Sequence, residues 1–412
     1  MERVILLLST LDTKGSETLF LRDSIREKGG HPLVLDLSMS ADSPGADISP
    51  AEVAAAAGAK IEEIRASRER KKITRQMIDG ATRLAADLHG SGRLAGVIGL
   101  GGSTGSLMAT DVMRSLPFGV PKLMVSSTAA LPGLSTRYFG TADVAIFHTV
   151  IEISGLAGPL QNVLERAAAA IVGMGAVAPL TVESARQGGK PLVAMSMFGP
   201  TEKCAHHVQV RLEQEGYQVI GFSAAGVCDR AMEEMISMGF FDAVVDIATG
   251  GVGEELLGGM RAAGPRRLMS AGLRGIPQVV APGGVNLTSP RKSRYTAEHH
   301  ARRKFELDEL RTFLRVSDDE AQEIAAVFAE KLGASKGPVV FLFPTQGWSA
   351  VDLPGGQMCD EAQDRTFLRV FKENAGPGVT TREVEANLED ETFAEAMVQA
   401  CLDVFPRPDG VP

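Results

Sequence analysis

Two short stretches carry residue types suited to handling a phosphate. The first is Val97-Ile98-Gly99-Leu100-Gly101-Gly102-Ser103-Thr104-Gly105-Ser106, an apolar run that ends in glycines, two hydroxyls and a further glycine. A segment of helical composition, 106–115, follows it. Strand, glycine turn and helix N-terminus in succession leave several backbone N–H groups without partners at the positive end of the helix dipole. Gly101, Gly102 and Gly105 let a phosphate approach the backbone, and Ser103 and Thr104 add hydroxyl donors. A tight strand-to-helix turn with no ligand has the same composition.

The second stretch is Thr10-Leu11-Asp12-Thr13-Lys14-Gly15, directly after an apolar run. Lys14 can offset phosphate charge, and Thr10 and Thr13 can donate to phosphate oxygens. Asp12 can hold Mg²⁺ directly or through water, because magnesium keeps several waters and takes one or two carboxylates. A capped helix start with a surface lysine is the plainer alternative. In a parallel sheet the two loops stand side by side, and each strengthens the case for the other. Asp36 ends the next strand, either accepting from ribose hydroxyls or simply closing that strand. Ser126-Ser127-Thr128 places three hydroxyls at another strand end and is counted with the site.

The sequence lacks G-x-x-x-x-G-K-[ST], which excludes a Walker A NTPase, and it lacks G-x-G-x-x-G after the first strand. Later glycine turns, Thr249-Gly250-Gly251 and Gly283-Gly284-Val285-Asn286, follow apolar runs and could face a ligand. His206-His207 and His299-His300 are adjacent pairs, which point to different faces of a helix and make poor chelates.

These loops need strands to hold them. Largely apolar runs at 4–9, 33–37, 95–101 and 121–125 predict buried parallel strands, and 143–149 could be one more. Helical patterns at 16–27, capped by Ser16, and at 60–88, 106–115 and 156–174 alternate with them. Residues 38–57 show no period and predict a loop, and the basic run from Arg65 through Arg70 to Arg75 predicts a solvated helix face, with an anion or partner site as the lesser reading. A linker-like stretch, 175–190, precedes a second alternating series: strands at 192–197, 218–222, 243–247, 278–281, 339–343 and 379–384, with 287–311 as a long polar loop. Helices are expected at 201–214, 231–238, 254–263, 265–273, 318–332, 361–372 and 390–404. The fold class is therefore α/β, with two doubly wound domains and mainly parallel sheets, 1–180 for nucleotide and 190–412 for substrate or partner. A ligand cleft is expected between facing strand ends.

With 412 residues, two domains are the default. The formal net charge of −9, with signs mixed along the chain, argues against a nucleic-acid surface. Cys204, Cys228, Cys359 and Cys401 form no C-x-x-C pair, which predicts reduced thiols in the cytoplasm. No signal peptide or membrane-length apolar run is evident.

Taken in order, these motifs resemble the Tm-1-like ATP-binding proteins, formerly UPF0261, whose plant members include the N-terminal region of the tomato mosaic virus resistance protein Tm-1. Besides 10–15 and 101–105, the resemblance rests on Pro121-Lys122 leading to Ser126-Ser127-Thr128, Gly140-Thr141-Ala142-Asp143, and Met197-Phe198-Gly199. It continues through Arg230-Ala231-Met232-Glu233, Leu256-Leu257-Gly258-Gly259 and Gly347-Trp348-Ser349-Ala350-Val351-Asp352. It implies Rossmann-like domains, ATP and Mg²⁺ in the first domain, a homodimer, and in bacteria a TIM-barrel partner protein. The sequence departs from the family pattern at Glu152 to Ala157, at Ala248 to Gly251, and at Leu307-Asp308, where a His-Asn pair is usual. The last two lie in the half expected to hold a second substrate.

The expectation is an Mg-ATP-binding cytoplasmic protein acting on a small acidic or sugar-like metabolite by phosphoryl or nucleotidyl transfer. A non-catalytic ATP-binding regulator and a phosphosugar- or NAD-binding enzyme remain as alternatives.

Overall fold

Apolar residues without alternation belong on strands covered on both faces. In the computed structural model, which describes residues 3–309 and 311–408, they form two such sheets. The chain divides into two compact units, Met1–Thr181 and Val182–Pro412.

In the first unit β1 (Val4–Ser9), β2 (Pro32–Asp36), β3 (Leu94–Gly101), β4 (Lys122–Ser126) and β5 (Ala145–His148) make one parallel sheet in the order β2-β1-β3-β4-β5. Successive side chains on a strand point to opposite faces. Leu6 and Leu8 accordingly pack with Met77, Met108 and Val112, from the helices Arg70–Gly90 and Ser103–Arg114. Ile5 and Leu7 pack with Leu21, Ile25 and Leu164, from the helices Leu11–Glu27 and Gly158–Ala176. The helices after β1 and β3 thus lie on opposite faces, and the chain reverses its strand order between these two neighbours. That makes the β1/β3 boundary a topological switch point, where open α/β sheets take their ligands.

The second unit repeats the plan. Its strands β6 (Leu192–Met197), β7 (Gln218–Ser223), β8 (Ala243–Asp246) and β9 (Gln278–Val280) lie in one parallel sheet. A small antiparallel sheet comes next in the chain: β10 (Leu287–Thr288), β11 (Lys304–Glu306) and β12 (Thr312–Arg315), in the order β10-β12-β11. Then β13 (Val339–Pro344) and β14 (Val379–Val384) complete the parallel sheet, ordered β14-β13-β9-β8-β6-β7.

Local chemistry explains where sequence expectations fail. The helix after β1 starts at Leu11, not at a Ser16 cap, and Ser16 Oγ instead donates to Glu17. The expected loop at 38–57 contains a helix, Pro50–Ala56, started by a capping box in which Ser49 and Glu52 satisfy each other's backbone N–H. The helix expected over 60–88 is two, Ile61–Ala66 and Arg70–Gly90, because Ser67 is extended at ψ 138°. The long loop expected at 287–311 carries β10 and β11, and the strand Thr312–Arg315 follows it without a signal of its own. Short strands with mixed polarity give little periodic signal.

Candidate functional site

β1 and β3 end side by side, so the loops after them share one edge of the first sheet. There the structure brings Thr10, Asp12, Thr13 and Lys14 together with Gly102, Ser103, Thr104 and Gly105 around an open hollow of about 260 Å³. Met39, Ser40 and Arg70 complete its lining.

The two loops differ in how their backbone is satisfied. Before the helix Leu11–Glu27, Asp36 Oδ1 accepts from the Leu11 N–H at 3.0 Å, and Ser38 Oγ accepts from the Asp12 N–H at 3.0 Å. The amides of Thr13 and Lys14 reach the Thr10 carbonyl at 3.2 and 2.9 Å. The first turn therefore has no amide to spare. Ser103–Arg114 is the reverse. Its cap is Gly102, which has no side chain to offer, and the first helical amide with a partner is Ser106, bonded to the Gly102 carbonyl at 2.8 Å. The amides of Ser103, Thr104 and Gly105 have no acceptor among the described residues. Free amides at a helix N-terminus attract an anion.

Glycine has separate reasons at two of these positions. A Cβ at Gly101 would stand 2.9 Å from Gly105 Cα, so the strand and helix start meet only without one. At Gly102 the nearest atom to a Cβ is Ser127 Oγ at 3.9 Å. The protein itself leaves that side open, beside the hollow that Gly102 lines.

Cross-links hold the loops in register. Ser9 Oγ donates to the Leu100 carbonyl at 3.2 Å and accepts from Thr18 at 2.8 Å. Thr18 Oγ1 also donates to the Lys14 carbonyl at 2.6 Å, at a residue that breaks the helix with φ −131° and ψ 28°. The kink separates the Asp12 turn from the main helix. Lys14 Nζ does not reach into the hollow's glycine turn. It donates to the Ile153 carbonyl and lies 3.8 Å from Glu152. Glu17, buried beside it, accepts from the Gly155 N–H at 2.6 Å, so the helix start grips the 152–155 loop twice. Gly15 has nothing within 4 Å of a Cβ and lies outside the lining.

Four expected residues have other work. Asp36 is fully buried and caps the Leu11 turn, with Ser38 donating to it from both backbone and hydroxyl, and burial pushes its carboxyl up. Ser126 Oγ accepts from Ser106 Oγ at 2.7 Å, and Thr128 Oγ1 pairs with the Tyr138 hydroxyl at 2.9 Å. Ser127 Oγ, near Gly102, reaches Glu152 at 3.3 Å. These groups brace the strand ends and do not line the hollow. Sequence reading missed Met39 and Ser40, and it had Arg70 only within the basic helix run, with an anion site as the lesser reading. The topology was the available signal, since the order β2-β1-β3 puts the loops after β1, β2 and β3 on one edge.

In the second unit the glycine turns are spent on packing. A Cβ at Gly250 would lie 2.4 Å from the Gly284 carbonyl oxygen, and one at Gly283 2.3 Å from that of Ile247. His207 pairs with Glu395 at 2.6 Å. No group of three or more His, Cys, Asp or Glu fit to hold a metal occurs among the described residues. Several motifs build buried ion networks: Lys122 with Asp143 at 2.6 Å, Arg267 with Asp229, Glu233 and Asp246, and Arg315 with Asp352 and Asp364.

Residues 3–179 match the N-terminal domain and residues 190–405 the C-terminal domain of the uncharacterised protein family UPF0261. The chain belongs to the UPF0261 family. A UPF0261 protein of Clostridium tetani is 33% identical over 412 residues, covering 99% of this chain and 100% of that protein. One from Brucella suis is 31% identical, covering 98% of this chain and 95% of the relative. The ToMV resistance protein Tm-1(GCR237) of Solanum lycopersicum is 33% identical over 320 residues, which is 76% of this chain but 42% of the tomato protein. A solved Streptomyces sp. SF2575 glycosyltransferase complexed with thymidine diphosphate covers 97% of this chain and 100% of its own at 13% identity, with a TM-score of 0.18, too slight a likeness to carry over a ligand. No helix among the described residues is long and apolar enough to cross a membrane.

Proposed function

We propose that the first unit binds Mg-ATP and that the protein transfers a phosphoryl or nucleotidyl group to a small acidic or sugar-like metabolite. The observation that carries this reading is the three unpaired amides of Ser103, Thr104 and Gly105, opening on the same hollow as Asp12 and Lys14. Amides and hydroxyls there suit phosphate oxygens, and Asp12 is the carboxylate in the lining that would hold the metal. When bound, Mg²⁺ neutralises charge building on the phosphate oxygens. The chain's own part is to orient and stabilise: the helix N-terminus holds oxygens in place, and Lys14 turns from Ile153 toward the phosphates. At about 260 Å³ the hollow suits the phosphate end of a nucleotide, below the usual range of about 300–1,000 Å³ for whole ligands. The family resemblance points the same way. This reading also takes the protein as a cytoplasmic homodimer with a TIM-barrel partner, which light scattering and co-purification would check.

Calorimetry with ATP and Mg²⁺ tests the proposal. Saturable binding that depends on Mg²⁺ is expected, and tighter binding of NAD or a sugar phosphate would overturn it. Hydrolysis that no metabolite accelerates would assign the protein to regulation instead.

A further inference from the structure

A second hollow lies wholly within the second unit and encloses about 660 Å³. Phe198 and Pro200 reach it from the end of β6, and Ser223 from the end of β7. The chain leaves β6 outward to β7 and returns past it to β8, so that sheet's switch point lies between β6 and β8, and the hollow takes its β6 side. The volume falls within the range of small-molecule sites, about 300–1,000 Å³. Carbon dominates the walls, with Met260, Phe305, Leu307 and Val351 among them. The charged residues of the lining are Arg261 and Arg311, both cations.

Arg261 is fixed in place. Its guanidinium carbon lies 4.6 Å from the centre of the Phe198 ring and 5.1 Å from that of Phe313, a cation held between two aromatic faces. Glu254, fully buried and outside the lining, takes Nε at 2.9 Å and Nη2 at 2.7 Å. Nη2 also reaches the Leu287 carbonyl at 3.3 Å. Nη1 has no acceptor among the described residues, although the side chain is only 11% exposed. With Nε and Nη2 both engaged, the guanidinium keeps the N–H groups of Nη1 as fixed, charged donors, which suit a carboxylate oxygen. An unpaired charged donor beside apolar walls is costly, and a ligand oxygen removes that cost. Arg311 stands more exposed, paired with Asp308 at 2.6 Å.

We propose that this hollow binds a small organic carboxylate with an apolar alkyl or aryl body. The carboxylate takes Nη1 of Arg261, and the carbon skeleton lies on Met260, Phe305, Leu307 and Val351. A sugar fits poorly, because the hydroxyls of the lining are Ser223 and Ser289, and Ser289 already donates to Glu254 at 2.6 Å. The site does not depend on the nucleotide reading, and its test contains no nucleotide.

Calorimetry on the full chain would use 3-phenylpropanoate, octanoate and 4-methylpentanoate as probes, with 3-phenylpropan-1-ol as the uncharged control. At least one acid is expected to bind saturably, with 3-phenylpropanoate at least about tenfold tighter than the alcohol. Ala225→Leu narrows the mouth from an exposed position without removing a contact, and should weaken the acid by about tenfold or more while the melting curve stays in place. The paired change Glu254→Gln/Arg261→Gln leaves no charge stranded and should bring acid and alcohol to equal affinity. Absence of saturable binding by all three acids overturns the proposal. So does equal binding of acid and alcohol to the unaltered protein, or an acid affinity that neither variant changes.

Discussion

Lys14 and Asp12 show how far one residue's type predicts its role. Both line the hollow, yet Lys14 Nζ is bound to Ile153 and close to Glu152. A lysine so placed must exchange partners to meet a phosphate. Lys14→Ala should therefore weaken Mg-ATP binding by roughly 10–100-fold, the worth of a charge-assisted hydrogen bond, without unfolding the chain. Asp12→Ala should lower the Mg²⁺ dependence of that binding. Unchanged affinities in calorimetry would remove the 10–15 loop from the site. Asp364 gives a residue-level prediction about pH. Burial, opposed by Arg315 and reinforced by Asp352, pushes its carboxyl up to about 7. A carboxyl with a raised folded pKa binds more protons folded than unfolded between its ordinary value and about 7. Its contribution to stability thus falls as pH rises through that window and is level above it. Urea midpoints should decline from pH 5 to pH 8, and Asp364→Asn should flatten that slope. A variant with the original slope would assign the titration to another group.

At the scale of elements, the helix Ser103–Arg114 carries the main claim, because its cap, Gly102, has no side chain to occupy its amides. Gly102→Asp would place a carboxylate over those amides and at the positive end of the dipole. Thermal melts should show unchanged or slightly raised stability, up to about 1 kcal/mol, while Mg-ATP affinity falls by about a hundredfold. A variant that binds as well as the parent would show that the helix start is not a phosphate site. Gly101→Ala should behave differently. Its Cβ would meet Gly105 backbone at 2.9 Å, so a loss of about 1–3 kcal/mol in chemical denaturation is expected, whatever the ligand. This contrast between neighbouring glycines was not legible in the sequence, where Gly101 and Gly102 read alike. It comes from which atoms the fold brings near each Cβ.

For the whole molecule, each unit has its own apolar clusters. Leu6, Met77 and Val112, with Ile5, Leu21 and Leu164 on the other face, belong to the first, and Val193, Met195 and Phe393 to the second. A fragment of residues 1–181 should unfold cooperatively by itself and retain Mg-ATP binding within about threefold of the full chain. A fragment that is unfolded, or folded without binding, would show that the second unit contributes to the site. The two-unit α/β plan was readable from the sequence because fully buried parallel strands are apolar at every position, and because each was followed by a glycine or hydroxyl turn. The strand Val4–Ser9 falls where its apolar run places it, and Val379–Val384, of mixed sequence VTTREV, falls at the bounds read for it. By contrast, β10, β11 and β12 escaped, since strands of two to four residues with charged neighbours carry no usable period.

The sequence alone determined the main strands of the two parallel sheets, the two loops that suit phosphate, and family membership through the order of its motifs, because these depend on local residue type and spacing. Tertiary structure decided which of those residues meet. Strand order placed the loops after β1 and β3 on one edge and added Arg70. Burial turned Asp36 and Ser126 into braces, and the Gly102 cap left the amides of Ser103 to Gly105 without an acceptor among the described residues. The same ordering gathered Arg261, Phe198 and Phe313 from three separate stretches of chain into one pocket. Contacts between residues far apart in sequence depend on the path of the backbone, and no local pattern encodes them.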